Sequence, residues 1–214
     1  MAFALTAADY AEYLTKVYEK IHADGDYITS LDAATGDGDH WANMNSGFGK
    51  LSEISKELAQ LSLFEEFKKI GKTMMSVIGG SSGVLYGSAY LAAAKVVKDK
   101  DVIDSSTLCD VLSAMLEAMM SRGNAAPGMK TMIDSLYPAV ECYKKCLAEG
   151  CKDSDTLALV KQAALDGAQA TADMHAVKGR ASYQKNKGVG HLDPGAVTMS
   201  YQIEILTDLI SAKL

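Results

Sequence analysis

Three aspartates lie within eight positions of one another in residues 31–48 (LDAATGDGDHWANMNSGF): Asp32, Asp37 and Asp39. The glycines beside them let the backbone turn tightly enough for the acids to converge. Carboxylate oxygens are ligands that Mg²⁺ prefers, and crowded acids repel each other unless a cation lies among them. The alternative is an acidic surface turn, with Asp39 as a helix cap and Asp32 capping a turn. The pattern favours a site for divalent cations.

Composition limits the partners of this chain. It has 214 residues, 48% of them hydrophobic, and we expect one domain over residues 1–214. The net charge of −6 leaves no basic field to hold a nucleic-acid backbone or an anionic membrane. The first residues lack the basic region of a signal peptide, and the longest apolar run, residues 84–94, is too short to span a bilayer. We therefore expect a cytoplasmic protein that binds neither nucleic acid nor membrane.

The four cysteines are Cys109, Cys142, Cys146 and Cys151. Cys142 and Cys146 share a helix face and could ligate zinc, but no C-x-x-C pair or nearby histidine supports a zinc site. We expect free, reduced thiols.

Apolar residues recur at helical spacing along the whole chain, and no run alternates as a strand would. The chain is therefore predicted to be all-α. Capping signals include T-A-A-D at Thr6, Ser62 with Glu65, and Asp193 followed by Pro194. The eight expected helices cover about residues 6–23, 40–59, 62–78, 82–97, 106–123, 131–150, 155–177 and 193–210.

The connectors between these helices alternate in composition. The first, third, fifth and seventh are rich in glycine and charge, whereas the second, fourth and sixth are plain polar turns. In an up-and-down antiparallel bundle, every other connector lies at the same end. The four unusual connectors are therefore expected to meet at one end of the bundle, which makes that end the predicted site.

These connectors bring together groups that suit a Mg-nucleotide. Carboxylates hold Mg²⁺, while glycines, serines and helix N-termini bind phosphate oxygens and an arginine neutralises a transferring phosphoryl group. The familiar nucleotide motifs are absent: a P-loop would need glycine where Glu66 stands, and both a P-loop and a Rossmann fold need strands. The predicted site is a Mg-nucleotide site on an all-α scaffold.

Five segments together resemble, in order and spacing, the nucleotide-binding L subunits of dihydroxyacetone kinases: GDGDHWANM, IGGSSGVLYGSA, PGMKTMIDSLYP, AVKGRASY and GHLDPGA. That family includes phosphotransferase-system subunits and the C-terminal nucleotide domain of ATP-dependent kinases. The resemblance covers nearly the whole chain. It implies an eight-helix antiparallel barrel with a Mg-nucleotide at one end.

The resemblance also implies roles for individual residues. The three aspartates would hold two Mg²⁺ ions against the phosphates of ADP or ATP. Arg180 would be the catalytic, phosphate-contacting arginine, and Ser81 and Ser82 would form the phosphate-binding turn. The other nucleotide contacts implied by the resemblance are His40, Trp41, Ala42, Asn43, Gly123, Met132, Asp193, Pro194 and Gly195.

In the phosphotransferase-system form of the family, ADP stays bound as a cofactor, and a phosphohistidine-carrying M-type protein converts it to ATP in place. The γ-phosphoryl group then passes to dihydroxyacetone on a separate K subunit. The resemblance therefore implies a kinase subunit that is active only with these partner chains. A transcription regulator and a second copy of this chain are further candidate partners.

Three features depart from the family pattern. Trp41 replaces a small residue, Met129 replaces an acidic one, and residues 184–189 (QKNKGV) differ from the usual loop. All three lie in loops on the nucleotide side. They keep two other functions open, which are a paralogous kinase subunit for another small ketose or polyol, and a nucleotide-sensing regulatory protein.

Overall fold

Ten α-helices build the fold in the computed structural model, which describes residues 3–214. Their bounds are Ala7–Ala23 (α1), Gly25–Thr35 (α2), His40–Glu53 (α3), Ser55–Leu58 (α4), Leu63–Val77 (α5), Gly80–Val96 (α6), Ser105–Gly123 (α7), Ile133–Glu149 (α8), Asp153–Ala170 (α9) and Pro194–Ser211 (α10). Two short 3₁₀ helices, Thr171–Asp173 and Arg180–Tyr183, lie in the connector before α10. No strand occurs within residues 3–214, so the all-α prediction is confirmed.

The long helices form a closed ring. α1 packs on α3, α3 on α5, and each helix from α5 onward packs on the next, until α10 returns to α1. Successive neighbours joined by short connectors run antiparallel. The expected eight-helix antiparallel barrel is confirmed, with α2 and α4 as additional short helices. No helix in the described part of the chain is both long and apolar enough to cross a membrane.

Several predicted helix starts are present because their caps satisfy free backbone N–H groups. Thr6 and Asp9 form a reciprocal capping box at α1. At α5, the hydroxyl of Ser62 accepts a hydrogen bond from the backbone N–H of Glu65 at 3.3 Å. The carboxylate of Asp193 caps α10, which has proline at its first position.

The sequence does not predict helix α2, because Asp24 and Gly25 are typical of a helix end and the start of a connector. Asp24 indeed interrupts the helix, but its carboxylate accepts hydrogen bonds from Tyr201 on α10 and from Lys20, both at 2.8 Å. The chain then starts α2 at once, with the indole of Trp41 lying against Gly25. Contacts between distant segments therefore support this helix.

Other helix ends shift by a few residues. α3 stops at Glu53, and the separate turn α4 follows it. α7 begins at Ser105 because the carboxylate of Asp104 accepts from the backbone N–H of Thr107 at 2.8 Å. α9 ends at Ala170 rather than near residue 177, and the seventh connector begins directly after it.

One carboxyl group is buried in the barrel core without a partner. Glu66 on α5 is 0% exposed, and neither of its carboxyl oxygens has a hydrogen-bond partner. Burial raises the pKa of this carboxyl from 4.5 to about 9. Between these two values the folded protein holds a proton that the unfolded chain releases. The free energy of unfolding therefore falls as pH rises, by at most about 1.4 kcal/mol per pH unit.

We predict that Glu66→Met stabilises the protein at pH 8, because it removes an unpaired carboxyl and keeps the volume. The free energy of unfolding should rise by about 2–4 kcal/mol, and the gain should shrink toward pH 5. Urea denaturation followed by far-UV circular dichroism at both pH values measures this. Glu65→Met is the matched control, since Glu65 is exposed and pairs with Lys68. A gain that is equal at both pH values would contradict a neutral buried Glu66.

Candidate functional site

Four long helices begin at one end of the barrel, around a cavity of about 610 Å³. They are α3, α6, α8 and α10, and α7 ends at the same place. Each helix N-terminus carries free N–H groups and about half a positive charge, which favours anions such as phosphate. The volume lies in the range of about 300–1,000 Å³ that is typical of small-molecule sites.

All four glycine-rich connectors line this cavity, so the prediction that they meet at one end is confirmed. The acidic loop is the segment that carries the three aspartates. The lining residues from this loop and from the start of α3 are Asp32, Thr35, Asp37, Asp39, His40 and Asn43. Those of the Gly79 turn and α6 are Gly79, Gly80, Ser81, Ser82, Val84 and Leu85. The remaining lining residues come from the two later connectors and their helices: Met119, Arg122, Gly123, Ala125, Lys130, Thr131, Met132, Ile133, Lys178, Gly179, Arg180, Ala181, Asp193, Pro194 and Gly195.

The acidic loop brings its three carboxylates together. Asp32 lies in the last turn of α2 and is buried, and Asp37 and Asp39 follow in the bend before α3, on either side of Gly38 with its φ of 78°. One oxygen from each carboxylate lies within 4.8 Å of the other two. Since Mg–O bonds are about 2.0–2.1 Å, ligands on opposite sides of one ion are about 4.2 Å apart. The donor set therefore fits Mg²⁺ with small side-chain adjustments.

Asp32 also positions the start of α3. Its Oδ2 accepts a hydrogen bond from the backbone N–H of His40 at 2.9 Å, so one oxygen caps α3 while the carboxylate stays at the cavity. The imidazole of His40 pairs with the hydroxyl of Thr198 on α10 at 2.9 Å. Burial lowers the pKa of His40, although Asp32 and Asp39 oppose this effect. His40 is therefore neutral near pH 7 and ties α3 to α10.

Arg180 reaches the acidic loop from the seventh connector. Its Nη2 lies 2.5 Å from Oδ2 of Asp37, and both side chains are substantially exposed. An exposed ion pair of this kind contributes little stability, so the arginine can exchange partners easily. The arginine predicted to contact phosphate thus lies beside the predicted cation ligands.

Asn43, which lies on the same side of the cavity as the acidic loop, holds the turn before α6. The side-chain oxygen of Asn43 on α3 accepts a hydrogen bond from the backbone N–H of Gly79 at 3.2 Å. Gly80 has a φ of 65°, a left-handed conformation that glycine adopts without strain. α6 starts two residues earlier than expected, which places Ser81 and Ser82 in its first turn. The helix has no side-chain cap, so its first N–H groups remain available to a ligand.

Lys130 is a site residue that the sequence analysis did not single out. It is buried, and its Nζ donates to the carbonyl oxygens of Thr171 and, at 2.5 Å, His191. Burial lowers the pKa of Lys130, with Asp193 opposing the shift. Burial raises the pKa of Asp193 to about 7, against the hydrogen bond from Ala196. The lysine of the PGMKT segment was the available signal, but only the fold shows that Lys130 ties the seventh connector to the fifth.

We predict that Lys130→Met lowers the free energy of unfolding by about 2–4 kcal/mol, because the carbonyl oxygens of Thr171 and His191 lose their donor. Urea denaturation followed by circular dichroism measures the change. Lys185→Met is the control, since Lys185 is an exposed lysine of the seventh connector. Equal stability of the two variants would show that Lys130 does not hold this connector.

Most predicted site residues line the cavity, but Trp41 and Ala42 do not. The indole N–H of Trp41 donates to the carbonyl oxygen of Ile21 at 3.0 Å, and the ring packs at the junction of α1 and α2. The structure therefore places this departure from the family pattern behind the acidic loop, where it supports α2. The lining residues that sequence reasoning missed include Thr35, Arg122 and Lys178.

The family model for the DAK2 domain matches residues 34–208. A curated relative from Escherichia coli K12, the ADP-binding subunit DhaL of a PEP-dependent dihydroxyacetone kinase, is 32% identical over 95% of this chain and 97% of its own length. The ADP-binding subunit DhaL of a PTS-dependent dihydroxyacetone kinase from Lactococcus lactis is 38% identical over 97% of this chain and 100% of its own.

A solved structure, the dihydroxyacetone kinase from C. freundii in complex with AMP-PNP and Mg²⁺, is also similar. It superposes with a TM-score of 0.70 at 26% identity over 97% of this chain. The present chain spans 35% of that kinase.

Proposed function

This chain belongs to the DAK2 domain family, and from that premise we propose that it is the ADP/ATP-binding subunit of a dihydroxyacetone kinase. One observation carries the proposal. Three carboxylates that fit Mg²⁺ and four helix N-termini that favour phosphate line the same cavity. We further propose that residues 1–214 form a single nucleotide-binding domain.

In this proposal each group at the cavity has its own task. Asp32, Asp37 and Asp39 hold two Mg²⁺ ions, which neutralise phosphate charge when bound. The first turn of α6, with Ser81 and Ser82, binds phosphate oxygens through backbone N–H groups. The apolar side of the cavity, between Gly123 and Met132, takes the adenine base.

Arg180 is the proposed catalytic residue. Its guanidinium now pairs with Asp37, and we infer that it exchanges this carboxylate for phosphate oxygens when nucleotide binds. There it stabilises the charge that develops on the transferring phosphoryl group. His40, Asn43, Asp193, Pro194 and Gly195 shape the loops around the nucleotide.

The partner chains follow from the same proposal. A phosphohistidine-carrying M-type protein rephosphorylates ADP in place, and a K subunit presents dihydroxyacetone to the γ-phosphoryl group. A homodimer and a transcription regulator are further proposed partners. The exposed position of Arg180 at the cavity is consistent with phosphoryl transfer to a group outside this chain.

The second candidate function is phosphoryl transfer to a related acceptor, and the altered residues 184–189 of the seventh connector favour it. The side-chain amide of Gln184 donates to the carbonyl oxygen of Ala34 at 3.0 Å, and Gly188 lies against Thr35 and Lys130. Residues 184–189 therefore touch the acidic loop directly. This arrangement suits a paralogous subunit that serves another small ketose or polyol, which a panel of such acceptors would reveal.

Calorimetric titration with ADP, with and without Mg²⁺, tests the nucleotide site. We expect submicromolar binding that depends strictly on Mg²⁺, and absence of binding would refute the proposal. Adding K-type and phosphohistidine partner chains should then yield dihydroxyacetone phosphate. Nucleotide binding without phosphoryl transfer under any partner set would instead favour a nucleotide-sensing regulatory protein.

A further inference from the structure

Three of the four cysteines lie close together at the end of α8, far from the nucleotide site. α8 begins at the cavity with Ile133 and runs for 17 residues to Glu149, a length of about 25 Å. Cys142 and Cys146 occupy its last turns, and Cys151 follows its end. Nothing in the proposed kinase function uses these thiols.

The backbone at the end of α8 forms a Schellman motif. Gly150 has a φ of 68°, its N–H donates to the carbonyl of Leu147 at 3.2 Å, and the N–H of Cys151 donates to the carbonyl of Cys146 at 3.0 Å. In this motif the residue after the glycine and the residue five positions before it commonly make a side-chain contact. Here both of those positions are cysteine.

The motif selects one pair among the three thiols. Cys142 and Cys146 are four positions apart on one helix, which holds their Cβ atoms about 5–6 Å apart, beyond the about 3.5–4.5 Å that a disulfide spans. Cys151 lies outside the helix, and its backbone bond to Cys146 brings the Cα atoms within the about 4.4–6.8 Å that a disulfide allows. Cys146 and Cys151 can therefore be bridged without distorting α8.

Metal binding does not explain the cluster. Within residues 3–214, the three aspartates of the acidic loop are the one group of three or more histidine, cysteine or acidic side chains whose ligand atoms converge. The thiols thus lack the close convergence that a tetrahedral zinc site requires.

We propose that Cys146 and Cys151 are a redox modification site that forms a reversible disulfide with a low-molecular-weight disulfide as oxidant. Cys151 is partly exposed and Cys146 is 3% exposed, so the thiolate of Cys151 attacks first. That attack forms a mixed disulfide and releases one small thiol. The thiolate of Cys146 then displaces the second small thiol, so two protein thiols are oxidised as one small disulfide is reduced to two thiols.

Oxidation of the full chain with oxidised glutathione tests this proposal. Burial raises the pKa of both thiols, so a mildly alkaline buffer supplies more thiolate. After the remaining thiols are alkylated, trypsin releases residues 146–152 (CLAEGCK), which contain both cysteines, and residues 131–144, which contain Cys142. We expect the peptide 146–152 to be unalkylated and lighter than its reduced form by two hydrogen atoms. A cross-link between the two peptides, or mixed disulfides alone, would overturn the proposal.

Two variants and one peptide serve as controls. Cys142→Ala should still form the disulfide, and Cys146→Ala should stop at a mixed disulfide on Cys151. The free peptide CLAEGCK, equilibrated with the same glutathione buffer, gives the equilibrium constant for disulfide formation in the absence of the fold. We expect the folded chain to favour the disulfide by at least about tenfold in equilibrium constant, or about 30 mV. Equal constants would show that the Schellman motif does not position the pair.

Discussion

Replacing Asp37 with asparagine should abolish Mg-dependent binding of ADP, weakening it by at least about 100-fold. The substitution removes one of three carboxylates that fit Mg²⁺ and leaves phosphate charge uncompensated. Helix content should not change, because Asp37 lies in a bend and its ion pair with Arg180 is exposed. Calorimetric titration measures the binding, and far-UV circular dichroism measures the helix content.

Asp26→Asn is the matched control for this variant. Asp26 is an exposed acid in the first turn of α2, so the change in charge is identical but lies outside the cavity lining. Its affinity for ADP with Mg²⁺ should equal that of the unmodified protein. Retained binding by the Asp37 variant would remove that residue from the site.

Replacing Arg180 with glutamine should reduce phosphoryl transfer to dihydroxyacetone by about 10²–10³-fold in kcat. The affinity for ADP should change much less, because the proposed contact strengthens when charge develops on the transferring group. A coupled assay with K-type and phosphohistidine partner chains measures kcat. Calorimetry of the same protein measures ADP binding.

Two further variants sharpen the test of Arg180. Lys185→Gln removes an exposed cation from the same connector without touching the cavity lining, and its kcat should be unchanged. Arg180→Lys keeps the charge but loses the planar fork of donors, so its kcat should lie between that of Arg180→Gln and that of the unmodified protein. A glutamine variant with normal kcat and weaker ADP binding would make Arg180 a binding residue rather than a catalytic one.

Helix class, most helix starts and the end that carries the site were predictable because they depend on local patterns. A capping box such as Thr6 with Asp9 needs only residues within one turn. The convergence of the four connectors followed from counting helices in an antiparallel arrangement. The count of long helices remained correct because α2 lies inside the first connector and α4 is the last part of the helix expected over residues 40–59.

What the sequence by itself determined is therefore the acidic loop, the all-α class and the end at which the charged connectors meet. Only the tertiary structure decided that α2 forms, that Trp41 packs behind the acidic loop and that Lys130 is buried under the seventh connector. Each of these depends on partners far away in the chain, as with Asp24 and Tyr201, which are separated by 177 positions. No local periodicity or capping motif in the sequence predicts such contacts, because they exist only once the ring of helices has closed.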